Sequence, residues 1–167
     1  MRKGRVSKRF KPTTLLTVPC KGLEDAFEKN ISAFYLLDYE NYYLHFVVES
    51  ETDEAYQRLL ELKEKLHNNS KAKGVKILIA GITAGRSQKI HNLLCSCDNR
   101  PQDVEILAFA DSDACPREDW LKHLVYPLRQ NKSGAATGYR WFVPQSNNLA
   151  TLVMSALNAK IAQLLGH

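Results

Sequence analysis

Apolar runs of strand length alternate with amphipathic runs of helix length along most of this chain, and that alternation constrains its fold most. Thr14-Leu15-Leu16-Thr17-Val18 reads as a strand closed by Pro19, and helical spacing follows from Leu23 to Phe34. Leu44-His45-Phe46-Val47-Val48 is a second strand, ending at Glu49. Glu54 to Leu66 is an amphipathic helix, with Tyr56, Leu59, Leu60 and Leu66 on or near one stripe and Glu61 placed to pair with Lys65. Val75 to Ala80 is a third strand and Gln88 to Cys95 a helix. Residues 105–110 make a fourth strand, Asp119 to Leu128 a helix, and Ala135 to Trp141 a further strand. Repeated β-α units of this length predict an α/β fold: a mostly parallel sheet with helices on both faces. Right-handed crossovers bring the carboxyl ends of the strands to one edge, where ligands of such sheets bind. Pro19, Glu49, Gly81 and Asp111 all fall at those ends.

A chain of 167 residues, 44% apolar and 25% charged, is long enough for one domain with a real core. Its net charge of +5 is lopsided. Arg2, Lys3, Arg5, Lys8, Arg9 and Lys11 supply six positive charges before residue 12 with no acid among them, which leaves the rest at −1. The chain therefore divides into a basic arm (1–11), an α/β domain (12–146) and a C-terminal helix (147–167). The arm suits an anionic lipid surface or nucleic acid, and equally a solvated terminus. No basic stripe with interleaved aromatics follows, which argues against nucleic-acid binding. Cys20, Cys95, Cys97 and Cys115 follow no secretory signal. Cys95-Ser96-Cys97 is too tight for an easy bridge and lacks a second Cys/His pair at zinc spacing, so all four read as reduced, cytosolic thiols. No apolar run reaches the roughly 18 residues of a membrane span. The expected location is the cytoplasm or the cytoplasmic face of a membrane.

Asp111-Ser112-Asp113 is the chemical centre of the sequence. It closes the apolar run Glu105-Ile106-Leu107-Ala108-Phe109-Ala110. Two carboxylates at a strand end suit a hard divalent cation, Mg²⁺ or Mn²⁺, which prefers oxygen ligands and often shares its shell with phosphate. On an extended segment both would face one ligand; if the chain turns at Ser112, one can hold metal and the other a ribose hydroxyl. A turn-capping role for Asp111 is the plain alternative. No glycine-rich dinucleotide fingerprint or P-loop is present, which disfavours a nicotinamide-dependent oxidoreductase.

Five ordered segments resemble the ceramide glucosyltransferases and their bacterial relatives, within the wider group of family 2 glycosyltransferases. They are Val18-Pro19-Cys20-Lys21-Gly22, Leu37-Asp38-Tyr39, Phe46-Val47-Val48-Glu49-Ser50, Gln88-Lys89-Ile90-His91-Asn92-Leu93 and Asp111-Ser112-Asp113. The resemblance covers roughly residues 12–145 and implies a GT-A fold that uses a UDP-sugar and a divalent cation. By the same resemblance Pro19, Lys21, Glu49, Lys89, Asn92 and Asp111 would hold the nucleotide sugar, and Asp111 and Asp113 the metal. Glu49 stands where the family usually has Asp, and the longer side chain shifts its carboxylate. Lys89 and Asn92 share a face at a helix start, where the helix N-terminus also favours anions. Asp53 reads as the cap of the helix beginning near Glu54, and Arg86 as solvated. His91 is expected to be structural or exposed, not a metal ligand. Arg140-Trp141 lies too close to Asp113 to be the family's late Arg-Trp motif, so it is expected to pack on a strand.

The family's general base is a downstream acid, and after Phe142 this chain has no Asp or Glu. The resemblance thus points to the donor-binding half of a longer inverting enzyme with a lipid or other hydroxyl acceptor. The rival is a non-catalytic nucleotide-binding chain that acts through a partner. A sugar-nucleotide-forming transferase is disfavoured by the single glycine after the first strand. Leu149, Leu152, Val153, Ala156, Leu157, Ile161 and Leu164 recur at helical spacing. They are expected to face a core, with bilayer contact or self-association as the alternatives.

Overall fold

The structure, a computed structural model, describes residues 10–130, 132–139 and 148–165. It comprises two compact units, Met1–Ser133 and Gly134–His167.

The first unit holds a four-stranded sheet in the order β3-β2-β1-β4. Its strands are β1 (Thr14–Pro19), β2 (Tyr42–Val48), β3 (Gly74–Ile79) and β4 (Ile106–Phe109), and every pairing is parallel. The register sets Thr17 beside His45 on one side and Phe109 on the other. Both central strands are almost wholly buried, which is why they read as near-continuous apolar runs.

Alternation sorts the side chains between two faces. Leu16, Val18, Leu44, Phe46 and Val48 form one core with α1 (Phe27–Tyr35) and α2 (Glu54–Leu66). There Phe46 meets Phe34 edge-on and stacks on Tyr35, with ring centroids 6.4 and 5.7 Å apart. The short α4 (Trp120–Val125) adds Leu121 and Val125 to that cluster. Burying each such side chain contributes about 1.5–3 kcal/mol.

The other face is polar where α3 (Gln88–Asp98) crosses it. Ser96 Oγ lies 2.7 Å from Thr17 Oγ1 and 3.0 Å from His45 Nδ1, with all three residues buried. Burial, helped by the charge of Lys76, pushes the His45 pKa down to about 4. The imidazole is therefore neutral, and this bonded trio ties α3 to β1 and β2.

Several boundaries move, for physical reasons. The first helix begins at Phe27 instead of Leu23, because Gly22 turns the chain at φ +61° and Leu23 stays exposed. The third runs past Cys95 to Asp98, since Ser96 continues its inward face. The helix expected to reach Leu128 stops at Val125 and tightens into a 3₁₀ turn over Tyr126–Arg129. Pro127 has no N–H to continue the α-helical ladder. Glu61 pairs with Arg58, and so does Glu28; the expected Lys65 partner is replaced. Ala135–Tyr139 forms no strand. Its Ala-Ala-Thr-Gly stretch has little side chain to pack on a sheet. Arg140-Trp141 lies outside the described residues, as does the arm before Phe10.

The second unit contains α5 (Leu149–Leu165). Asn148 Oδ1 caps it by accepting the Thr151 N–H at 2.9 Å, and the Tyr139 hydroxyl donates to the Asn158 carbonyl. Of the stripe expected to face a core, Leu152, Val153, Leu157 and Ile161 are each about half exposed. Among the described residues no helix is long and apolar enough to cross a membrane. All four cysteines are free thiols.

Candidate functional site

The strand order reverses at β1. The chain steps from β1 to β2 to β3, then places β4 on the opposite side of β1. Connections on opposite faces leave a crevice at the carboxyl ends of such neighbours. A cleft of about 300 Å³ opens there, between the ends of β1, β2 and β4 and the first turn of α3.

One wall comes from β1 and β2. The Cys20 N–H donates to the Val47 carbonyl at 2.8 Å, which keeps Pro19-Cys20-Lys21 in line with the sheet. The chain then turns at Gly22, whose N–H donates to Asp53 Oδ1 at 2.9 Å. That same oxygen accepts the Ala55 N–H at 2.9 Å, so Asp53 caps α2 as expected and also pins the β1–α1 loop. Lys21 Nζ meets the Glu49 carboxylate at 3.2 Å.

The opposite wall comes from α3 and the end of β4. Lys89 Nζ lies 2.5 Å from Asp111 Oδ1. The Ala114 N–H donates to the Asp111 carbonyl at 3.1 Å, so the chain turns across Ser112 and Asp113. Of the two geometries open from sequence, the turned one is present.

Asn92 is buried in the floor. Its Nδ2 donates to the Val47 carbonyl at 3.4 Å, and its Oδ1 accepts from Gln88 Nε2 at 2.8 Å. Gln88 also donates to the Gly81 carbonyl at 2.7 Å and accepts the Thr83 N–H at 3.1 Å. It thereby clips the β3–α3 loop, which turns at Gly81 with φ +80°. His91 Nε2 meets the Ala80 carbonyl at 2.9 Å, a structural bond in keeping with the sequence reading. Arg86 is exposed.

Pro19, Lys21, Glu49, Lys89, Asn92, Asp111 and Asp113 thus line one cleft. Cys20, Glu24, Gln88 and Ser112 line it too and were not singled out from sequence. Burial, aided by the charge of Asp53, pushes the Cys20 thiol up, so it stays protonated and is no nucleophile. Glu24 adds a carboxylate. The lining then carries four acids, Glu24, Glu49, Asp111 and Asp113, against Lys21 and Lys89, a surplus of two negative charges. Two carboxylates flanking Ser112 are the hard oxygen donors that Mg²⁺ or Mn²⁺ takes. Among the described residues no group of three or more His, Cys, Asp or Glu forms a cation cage.

An open parallel sheet with this cleft at its switch point has the architecture of a GT-A glycosyltransferase. The model of glycosyl transferase family 21 matches residues 2–165, and the chain belongs to that family. The fold is similar to that of a mannosyltransferase from Pyrobaculum calidifontis, solved in complex with GDP-Man and Mn²⁺, at a TM-score of 0.60 and 21% identity. The match covers 73% of this chain and 34% of that one, so the chain spans about a third of the length of its structural relative.

Proposed function

We propose that this chain provides the donor site of an inverting glycosyltransferase, which takes a hexose from a UDP-sugar with the help of Mg²⁺ or Mn²⁺. The acceptor is the hydroxyl of a lipid or similar molecule, in keeping with the resemblance to ceramide glucosyltransferases within the wider family 2 group. One observation carries the reading: the pairs Lys21–Glu49 and Lys89–Asp111 face a single cleft at the sheet's switch point. Lys89 sits in the first turn of α3, where the helix N-terminus adds its partial positive charge toward a diphosphate. Asp111 and Asp113 would hold the cation, which when bound neutralises charge on the departing diphosphate. Pro19, Lys21 and Glu49 close the other wall against the nucleoside, and Asn92 braces the floor. Use of Mn²⁺ with a nucleotide sugar by the Pyrobaculum mannosyltransferase supports the cation; its GDP-Man makes guanine the rival base.

The rival reading is a chain that binds the nucleotide without catalysis and acts only through a partner; the cleft lining supports nucleotide binding on either reading. α5 is then a candidate surface for a bilayer or for self-association.

Calorimetric titration of UDP and GDP, with and without Mn²⁺, on wild type and Asp113→Ala tests the donor site. The expected result is Mn²⁺-dependent binding of UDP that the substitution weakens. Equal affinity in all conditions overturns the metal assignment, and preference for GDP overturns the uridine assignment. A radiolabelled UDP-glucose assay with ceramide and diacylglycerol separates the two readings: robust glycolipid formation by this chain alone removes the second.

A further inference from the structure

We infer that Lys89 and the divalent cation compete for Asp111, and that the nucleotide diphosphate settles the competition by drawing Lys89 to itself. Cation and nucleotide then bind as a coupled pair. This rests on the donor-site reading above and adds a device that regulates it.

The geometry sets up the competition. Lys89 Nζ is 2.5 Å from Asp111 Oδ1, so the ammonium sits on a carboxylate oxygen that a divalent cation would also take. An ammonium and a dication cannot share that oxygen without strong repulsion. The backbone of Lys89 is fixed, because its helix is bonded through Gln88 to Gly81, through Asn92 to Val47 and through Ser96 to Thr17 and His45. The exchange therefore falls to the side chain. Lys89 and Asp111 are 56% and 50% exposed, which leaves the long side chain room to swing.

Charge decides what each ligand meets alone. A cation must displace Lys89 from its carboxylate partner, and it finds no group of three or more acids, histidines or cysteines among the described residues. A diphosphate meets a lining with two more acids than lysines. Together each removes the other's obstacle. The phosphate accepts Lys89, Asp111 turns to the cation, and the cation offsets the surplus negative charge. Such coupling is reciprocal: the nucleotide must tighten the cation as much as the cation tightens the nucleotide.

The test follows Mn²⁺ by the loss of its free electron-paramagnetic signal and UDP by calorimetry, on wild type, Lys89→Gln and Lys89→Arg. In wild type, saturating UDP should tighten Mn²⁺ by roughly tenfold or more. Lys89→Gln should bind Mn²⁺ alone several-fold more tightly (on the order of 3- to 10-fold) yet bind UDP with Mn²⁺ more weakly, with the mutual tightening reduced. Lys89→Arg, which keeps the charge, should behave as wild type. A lysine that merely braced the fold would weaken both ligands when replaced. Unchanged or weaker binding of Mn²⁺ alone by Lys89→Gln, beside intact Mn²⁺-dependent UDP binding in wild type, overturns this inference and spares the donor site. Wild type that binds neither UDP nor GDP at any Mn²⁺ concentration overturns the donor-site reading itself.

Discussion

At the amino-terminal edge of the sheet, four lysines meet three carboxylates. Lys11 pairs with Glu40 at 3.0 Å, Lys73 with Asp103 at 2.5 Å, and Asp38 takes both Lys71, at 2.6 Å, and Lys122. At the carboxyl-terminal edge four carboxylates line the cleft with two lysines. The chemical pair is the same, but the stoichiometry is reversed. On the amino-terminal side each acid joins segments that lead into different strands or helices. Asp38 is so well matched that its two lysines, Lys122 first, hold its pKa down to about 2. On the carboxyl-terminal side the lining acids outnumber the lysines, a charge that the proposed cation would offset. Exposed pairs of this kind are each worth only about 0–1 kcal/mol, so the edges differ less in stability than in what they leave to bind.

The largest effect should come from the acid-rich edge. Asp111→Ala is expected to lower Mn²⁺-dependent UDP affinity on the order of 100-fold and to remove most of the dependence on Mn²⁺. Calorimetry measures both, and full Mn²⁺ dependence in the variant would break the contrast between the edges. Next, Lys89→Ala should weaken UDP by about 1.5–3 kcal/mol while leaving uridine almost unchanged, because the ammonium answers to phosphate charge. Equal losses for the two ligands would move Lys89 to the base or ribose.

The third test lies between the edges. His45 is buried and neutral, with its folded pKa below the unfolded value of about 6.5. The unfolded chain therefore takes up a proton first as pH falls. Stability attributable to His45 is complete well above pH 6.5 and is lost as pH drops toward 4, by roughly 2–3 kcal/mol. Urea titrations across that range measure it, and His45→Gln should flatten the slope. A slope that persists unchanged in the variant assigns the effect to other groups. The smallest effect belongs to the lysine-rich edge. Asp38→Asn should cost less than about 1 kcal/mol at neutral pH and leave UDP affinity alone. Its contribution should fade only as pH falls from near 3.8 toward 2, since a depressed carboxylate pKa stabilises above that window. A loss of UDP affinity in Asp38→Asn would show that the two edges are not separable.

Much of this contrast was legible in the sequence because it follows from periodicity. Alternating runs located all four described strands, and the strand ends placed Pro19, Glu49 and Asp111 on one edge. Asp53 was readable as a cap because the capping residue lies next to the helix it serves. What escaped was non-local. Thr17, His45 and Ser96 are separated by up to 79 residues, and no local pattern announces that they share bonds. A hint was present in Thr17 and His45, polar residues inside otherwise apolar strands. Gln88 was passed over because its three partners lie in a loop and on its own helix. The turn at Ser112 depends on one bond from Ala114, which an Asp-Ser-Asp motif does not specify. Pro127 was visible and should have shortened the helix. The strand expected from Ala135 was read from spacing alone, although its small side chains offer a sheet little to bury.

The place of β1 in the middle of the sheet also orders events in time. The Thr13 N–H has no Glu105 carboxylate to donate to until that residue is made, 92 residues later. A ribosome adding 5–20 residues per second needs roughly 5–20 s to cover that gap. Through that interval β1 can pair with β2 on one flank while its other flank, which includes Leu15 and Thr17, awaits Leu107 and Phe109. Of the four described strands, the first synthesised is thus the last to be enclosed. The cleft, whose walls need both flanks of β1, can form only after β4 docks.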